Sequence, residues 1–257
     1  MSSMHSVDGS TLILLRNGED YFPRLIAAID GASHSIYLET YIYAADRTGR
    51  AVSDALQRAA ARGVSVHLLL DGYGSADLPQ TWADEFHASG IKLLWYRRKF
   101  GGLVLRRYHL RRLHRKLVVI DRQIAFIGGI NIIDDQPDKN ISAPRLDYAV
   151  EISGTAVMPV HSAMRQLWYL VSWSFFRRRR RRLRPAHGSQ QPLTGNVSLL
   201  LRDNLRHRHD IERAYLDAIS GAQHEIILAN AYFLPGMRFR QALTDAAKRG
   251  VLVILLL

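Results

Sequence analysis

Apolar residues along this chain recur in two rhythms that take turns. Short β-branched and leucine-rich runs lie at Leu12–Leu15, Ser35–Tyr43, Val64–Leu70 and Ile91–Tyr96, and again at Leu117–Ile120, Ile124–Ile127 and Tyr148–Ile152. Each has the length and composition of a strand. Between them, apolar positions repeat at helical spacing over Tyr21–Ile29, Arg50–Arg62 and Gln80–Ala88. Gly31 and Gly63 stand where the first two of these should stop. A longer amphipathic stretch, Ala156–Phe176, closes the series. Strands alternating with helices predict an α/β fold, a mixed β-sheet flanked by helices.

The pattern then restarts. Gly31-Ala32-Ser33-His34-Ser35-Ile36-Tyr37-Leu38 is matched by Gly221-Ala222-Gln223-His224-Glu225-Ile226-Ile227-Leu228, 190 residues later. Ala61-Arg62-Gly63-Val64 is matched by Lys248-Arg249-Gly250-Val251 at an offset of 187. Self-similarity over that distance reads as a domain duplication. The expected organisation is a complete first half over residues 1–176, an Arg-rich linker over 177–195, and the start of a second half over 196–257. On this reading the chain is a fragment or truncated product, ending inside the counterpart of Val64–Leu70.

Composition narrows the partners. The 257 residues contain no cysteine, which excludes disulfides, thiolate nucleophiles and cysteine-bound metals. The net charge is +12, and 30 of the 35 basic residues are Arg. Arginine's planar fork suits phosphate, so nucleic acid or an anionic membrane surface is the expected partner class. No apolar run approaches bilayer-spanning length, and residues 1–10 lack a signal-peptide core. Membrane contact is therefore expected to be peripheral.

The chemistry concentrates in His114-Arg115-Lys116-Leu117-Val118-Val119-Ile120-Asp121, followed by Gly128-Gly129-Ile130-Asn131. Two residues apart on a strand, His114 and Lys116 share a face. An imidazole beside a fixed cation suits attack on a phosphate ester. Gly128 and Gly129 permit close backbone approach and offer amide donors, and Asn131 adds a carboxamide. Asp121 lies an odd number of residues from His114 and is expected to face away, in a structural role. Asp71 before Gly72-Tyr73-Gly74 reads as a strand-end turn rather than a base, and Glu39 as either a supporting acid or an edge residue.

The His-x-Lys-x4-Asp spacing, the Gly-Gly-x-Asn that follows, the strand context and the duplication together resemble the phospholipase D superfamily, which pairs two such motifs. Further stretches are similar to its bacterial cardiolipin synthases without N-terminal membrane spans. They are Leu38-Glu39-Thr40-Tyr41-Ile42-Tyr43, Leu70-Asp71-Gly72-Tyr73-Gly74-Ser75, Asp147-Tyr148-Ala149-Val150, Arg202-Asp203-Asn204, Asp210-Ile211-Glu212-Arg213 and Ala229-Asn230-Ala231-Tyr232-Phe233. The resemblance implies a phospholipase D-like sheet and a metal-independent, cofactor-free transfer through phosphohistidine. His114 would attack phosphatidylglycerol and release glycerol, and a second phosphatidylglycerol would accept the phosphatidyl group to give cardiolipin. Lys116 and Asn131 would hold phosphoryl oxygens with Gly128, Gly129, Arg115 and Glu39 around them. Asp147 would fix the histidine tautomer, and a second motif beyond residue 257 would supply the general acid. The implied location is the cytoplasmic side of the bacterial inner membrane.

No acidic residue occurs between Glu85 and Asp121. Arg106, Arg107, Arg111 and Arg112, interleaved with apolar residues, are expected to contact anionic lipid, as is the run containing Arg177, Arg178, Arg179 and Arg180. Two alternatives stay open. One is a nuclease or phosphodiesterase completed by homodimerisation, although nucleic acid is the less expected ligand. The other is a catalytically silent lipid-binding fragment.

Overall fold

The computed structural model describes residues 4–7, 9–97, 112–135, 146–176, 199–200, 209–230 and 233–256. The Arg-rich linker, Arg106, Arg107, Arg111 and Arg177–Arg180 lie outside them. The chain divides into two compact units, Met1–Leu199 and Leu200–Leu257.

The first unit is built on one mixed sheet of eight strands. In chain order these are β1 (Met4–Val7), β2 (Ser10–Arg16), β3 (Ser35–Thr40), β4 (Ser65–Asp71), β5 (Lys92–Tyr96), β6 (Leu117–Ile120), β7 (Ile124–Gly128) and β8 (Tyr148–Gly154). Across the sheet they run β1-β2-β8-β7-β6-β3-β4-β5. The neighbours β3, β4 and β5 pair in parallel, each joined to the next by a helical crossover. The catalytic-motif strand β6 is antiparallel to β3, so its entry lies beside the C-terminal ends of β3 and β4.

Helices cover both faces, as the period-two alternation of the strands requires. On β3, Ile36 and Leu38 join the larger core under α1 (Asn17–Asp30), α2 (Arg47–Ala61) and α3 (Gln80–Ala88). Tyr37 points oppositely, toward α4 (Val157–Phe176), where Leu117, Val119, Ala125 and Ile152 pack with Val157, Val160 and Met164. Burial of both faces explains why β4 reads as a nearly unbroken apolar run.

Two differences from the sequence reading have local causes. The polar N-terminal stretch contains β1, an edge strand paired with β2 and turned at Gly9, whose φ is +73°. The Asp-Gly at 8–9 was its signal. The strand expected through Tyr43 stops at Thr40, because residues 42–44 leave β3 to pair with Ile132.

The second unit comprises α5 (Asp210–Gly221), β9 (Glu225–Ala229), α6 (Met237–Lys248) and β10 (Leu252–Leu256). Its two strands are parallel, with Glu225 opposite Leu252, where β3 and β4 set Ser35 opposite Ser65. The same offsets relate a detail of side-chain bonding. Arg62 donates to the carbonyls of Ile29 and Ala32, and Arg249 donates to those of Ile219, Ser220 and Ala222.

Candidate active site

Residues 112–116 approach β6 with side chains going alternately to opposite faces. Leu113 is buried with Leu69 and Val171 on the α4 side, and Arg115 reaches Glu39. Arg112, His114 and Lys116 take the other direction, where His114 meets the Tyr41 ring at 4.9 Å and Arg112 stacks on Tyr73 at 4.3 Å. One carboxylate anchors this entry. Asp71, at the end of β4, accepts from the Leu113 amide at 2.6 Å and from the Tyr73 and Gly74 amides at 2.9 and 3.0 Å.

His114 is exposed, whereas Lys116 is buried behind it at 7% exposure. The Lys116 ammonium stands 3.4 Å from Nδ1 and 3.5 Å from Nε2 of the imidazole and 5.2 Å over the Tyr41 ring. Partial burial, then the Lys116 charge, hold the His114 pKa below the ordinary histidine value, against Asp71. At neutral pH the imidazole is therefore uncharged, as a nucleophile must be. Burial also brings the Lys116 pKa down to about 8, with the nearby Asp147 and Asp71 charges opposing the shift. Lys116 remains mostly cationic at pH 7, positioned to neutralise charge on a phosphoryl group.

Asp147 sits on the lysine's side of the pair. Its backbone is fixed by reciprocal bonds with Asn17, whose amide donates to the Asp147 carbonyl at 2.8 Å while its side chain accepts from the Asp147 amide at 3.0 Å. The Asp147 carboxylate accepts from the Tyr148 amide and lies against Gly129. Among the described residues His114 has no hydrogen bond to Asp147, whose charge acts on Lys116. Asn131 is brought in by the strand-to-loop pairing near Ile132. Its carboxamide oxygen accepts from the Ile42 amide at 3.0 Å, leaving Nδ2 as the donor for a ligand.

The two glycines work differently from the sequence expectation. The Gly128 amide donates to the Lys116 carbonyl and the Gly129 amide to the Tyr148 carbonyl, so neither is a phosphate donor. They are glycine because β7 crosses β8 too closely for side chains: a Cβ on Gly128 would stand 2.5 Å from the Tyr148 carbonyl oxygen, and one on Gly129 2.1 Å from the Asp147 carboxylate. Asp121 is also removed from the cluster. It occupies the far end of β6, five residues or roughly 16 Å from Lys116. With φ +50° there and +59° at Arg122, it begins the three-residue connection from β6 to β7. Its carboxylate accepts from the Ser33, His34 and Ser35 amides at 2.7, 2.8 and 2.7 Å, and these bonds hold its pKa down against burial.

Glu39 and Arg115 lie beneath the site on the α4 side. Glu39 is 3% exposed, and its Oε2 is 3.8 Å from the Arg115 guanidinium, beyond hydrogen-bonding distance. Burial pushes the Glu39 pKa up to about 8, with Arg115 opposing. Neither residue is on the His114 face.

Tyr41 and Tyr73 were not among the residues singled out from sequence. Gly74 admits the Tyr41 ring, since a Cβ there would approach it to 2.8 Å. The pairing of aromatic residues with Gly72 and Gly74 at two strand ends was the available signal. Among the described residues no group of three or more His, Asp or Glu side chains could hold a metal ion.

A family model described as "Cardiolipin synthase, PLD-like domain" matches residues 25–159, more than half of the chain. The chain belongs to this family. The PLD-like match runs from within α1 to the start of α4 and so contains His114, Lys116, Asn131 and Asp147. The chain is 43% identical over 253 residues to cardiolipin synthase B of Shigella flexneri and 42% identical to cardiolipin synthase B of Escherichia coli (strain K12). Each alignment covers 97% of this chain and 60% of the relative, so the chain spans about three-fifths of their length. The PLD-like fold is also similar to the crystal structure of phosphatidylserine synthase from Haemophilus influenzae Rd KW20. That likeness has a TM-score of 0.60 at 13% identity and covers 97% of this chain and 60% of that one.

Proposed function

We propose that this chain carries the nucleophile half-site of a phosphatidyltransferase that makes cardiolipin from two phosphatidylglycerol molecules. The observation that carries the reading is the His114 imidazole 3.4 Å from the buried Lys116 ammonium, within a family match to cardiolipin synthases. A ring nitrogen of His114 attacks the donor phosphorus. The N–P bond forms as the bond to the glycerol oxygen breaks, and glycerol leaves after taking a proton from a general acid. The acceptor's hydroxyl then attacks phosphorus, returns its proton to that group, and breaks the N–P bond. Lys116 and the Asn131 carboxamide stabilise the charge on the non-bridging oxygens.

The general acid is assigned to a second His-x-Lys pair, on the same polypeptide or on a partner copy. In this reading residues 196–257 begin the second half of a duplicated domain, and 177–195 connect the halves. The matching strand register and Arg62/Arg249 bonding support that reading. The enzyme works at an anionic bilayer surface on the cytoplasmic side; the arginine excess supports it, and no helix among the described residues is long and apolar enough to cross a membrane.

The test is incubation of the purified chain, alone and with a polypeptide that carries the second His-x-Lys pair, with labelled phosphatidylglycerol vesicles and, separately, with DNA. Cardiolipin and glycerol, both lost in His114→Ala, are the expected products. DNA cleavage without lipid turnover would replace the proposal with a nuclease reading, and inactivity on both with a lipid-binding one.

A further inference from the structure

The cation at Arg112 is not accounted for by the chemistry at His114. Lys116 already supplies the charge beside the phosphoryl group, and sequence reasoning had counted Arg112 among the membrane contacts. Its guanidinium stacks over the Tyr73 ring and has no ion pair among the described residues. Stacking fixes the plane of the fork without neutralising it, so its N–H groups stay available to an anion. Arg112 also acts electrostatically on the phenol of Tyr41, whose ring packs against His114. The platform and the nucleophile are therefore continuous.

Spacing says which anion belongs there. Arg112 and His114 are two residues apart on one face of an extended approach, which sets their Cα atoms ~7 Å apart. A three-carbon bridge between two phosphates has six bonds of about 1.5 Å and reaches roughly the same distance. One phosphorus at His114 thus places a second anionic group, joined through glycerol, at Arg112. We infer that Arg112, stacked on Tyr73, is the subsite for the phosphodiester of the acceptor lipid. The acceptor's distal hydroxyl is thereby directed at the phosphoryl group on His114. The inference rests on the phosphatidyl-transfer reading and deepens it. It makes the site selective for an acceptor alcohol that bears its own phosphodiester.

Two measurements test it. In the first, calorimetry compares glycerol 1,3-bisphosphate with glycerol 3-phosphate. The unmodified chain is expected to bind the bisphosphate at least tenfold more tightly. R112Q should lose that preference, R112K should keep part of it, and Tyr73→Leu should fall between. Equal affinity of the two probes in the unmodified chain overturns the subsite, as does an R112Q chain that keeps the full preference. A loss in R112Q confined to adsorption on anionic vesicles also overturns it, in favour of a membrane contact. In the second, phosphatidylglycerol and isotopically labelled glycerol compete as acceptors, and R112Q should shift the ratio of labelled phosphatidylglycerol to cardiolipin toward the neutral alcohol at least tenfold. An unshifted ratio overturns the role in acceptor choice. A chain that transfers no phosphatidyl group but prefers the bisphosphate through Arg112 refutes the transferase reading and leaves the anion subsite standing.

Discussion

The ammonium of Lys116 is almost equidistant from the two ring nitrogens of His114, at 3.4 and 3.5 Å. A donor aimed along either nitrogen's lone pair would be near one and well away from the other. Lys116 therefore acts on the imidazole as a charge and leaves a nitrogen lone pair available for phosphorus.

Two titrations of opposite sign follow for the rate of phosphodiester cleavage. Activity falls on the acid side as His114 protonates, at a pH below the ordinary histidine range because burial and Lys116 depress its pKa. It falls on the alkaline side near pH 8 as Lys116 loses its proton. A pH–rate profile checks both limbs. K116R, which stays charged, is expected to move the alkaline limb upward even if its rate is lower. An unmoved limb would assign that titration to another group.

Glu39 should make stability depend on pH. Its carboxyl titrates near 4.5 when exposed and near 8 in the fold. The folded state thus holds the proton more tightly, and stability is lost as pH rises from the first value through the second. E39Q keeps the shape and removes the titration. Thermal midpoints measured from pH 5 to 9 should fall in the unmodified chain relative to E39Q, and parallel curves would exclude Glu39 as the cause.

Gly129→Ala forces a methyl against the Asp147 carboxylate. Overpacking of this kind costs about 1–3 kcal/mol, and displacing Asp147 should also lower the pH at which Lys116 loses its charge. Gly221→Ala, where nothing lies within 4 Å of the added carbon, is the comparison and should change stability by no more than about 0.5 kcal/mol. Denaturant midpoints for both variants, with a pH–rate profile for the first, test this.

Asp121→Ala removes the acceptor for three backbone amides at the start of β3. The expected loss is about 1–3 kcal/mol of stability. Because Asp121 lies far from the phosphate-facing row, the cleavage pH profile of the folded protein should keep its shape. A shifted profile would return Asp121 to the catalytic group.

Much of the fold was legible because each element carries its own apolar period: the strand Leu117–Ile120 and the helix Gln80–Ala88 appear with the expected bounds. His114 and Lys116 were legible for the same reason, since a two-residue spacing on a strand fixes a shared face. What could not be read were roles that depend on distant chain. Asp71 and Leu113 are bonded across 42 positions of sequence. The glycine pair looked like a phosphate cradle until β8 was seen to use both its close approach and the Gly129 amide. Arg112 looked like one more member of a basic loop until Tyr73 was found beneath it.

Asp71 has a mechanical consequence. Its single carboxylate fastens the turn carrying Tyr73 to the segment carrying Arg112 and His114. The aromatic wall and the histidine-bearing segment therefore share one anchor, and neither can be repositioned in sequence without the other feeling it through that carboxylate.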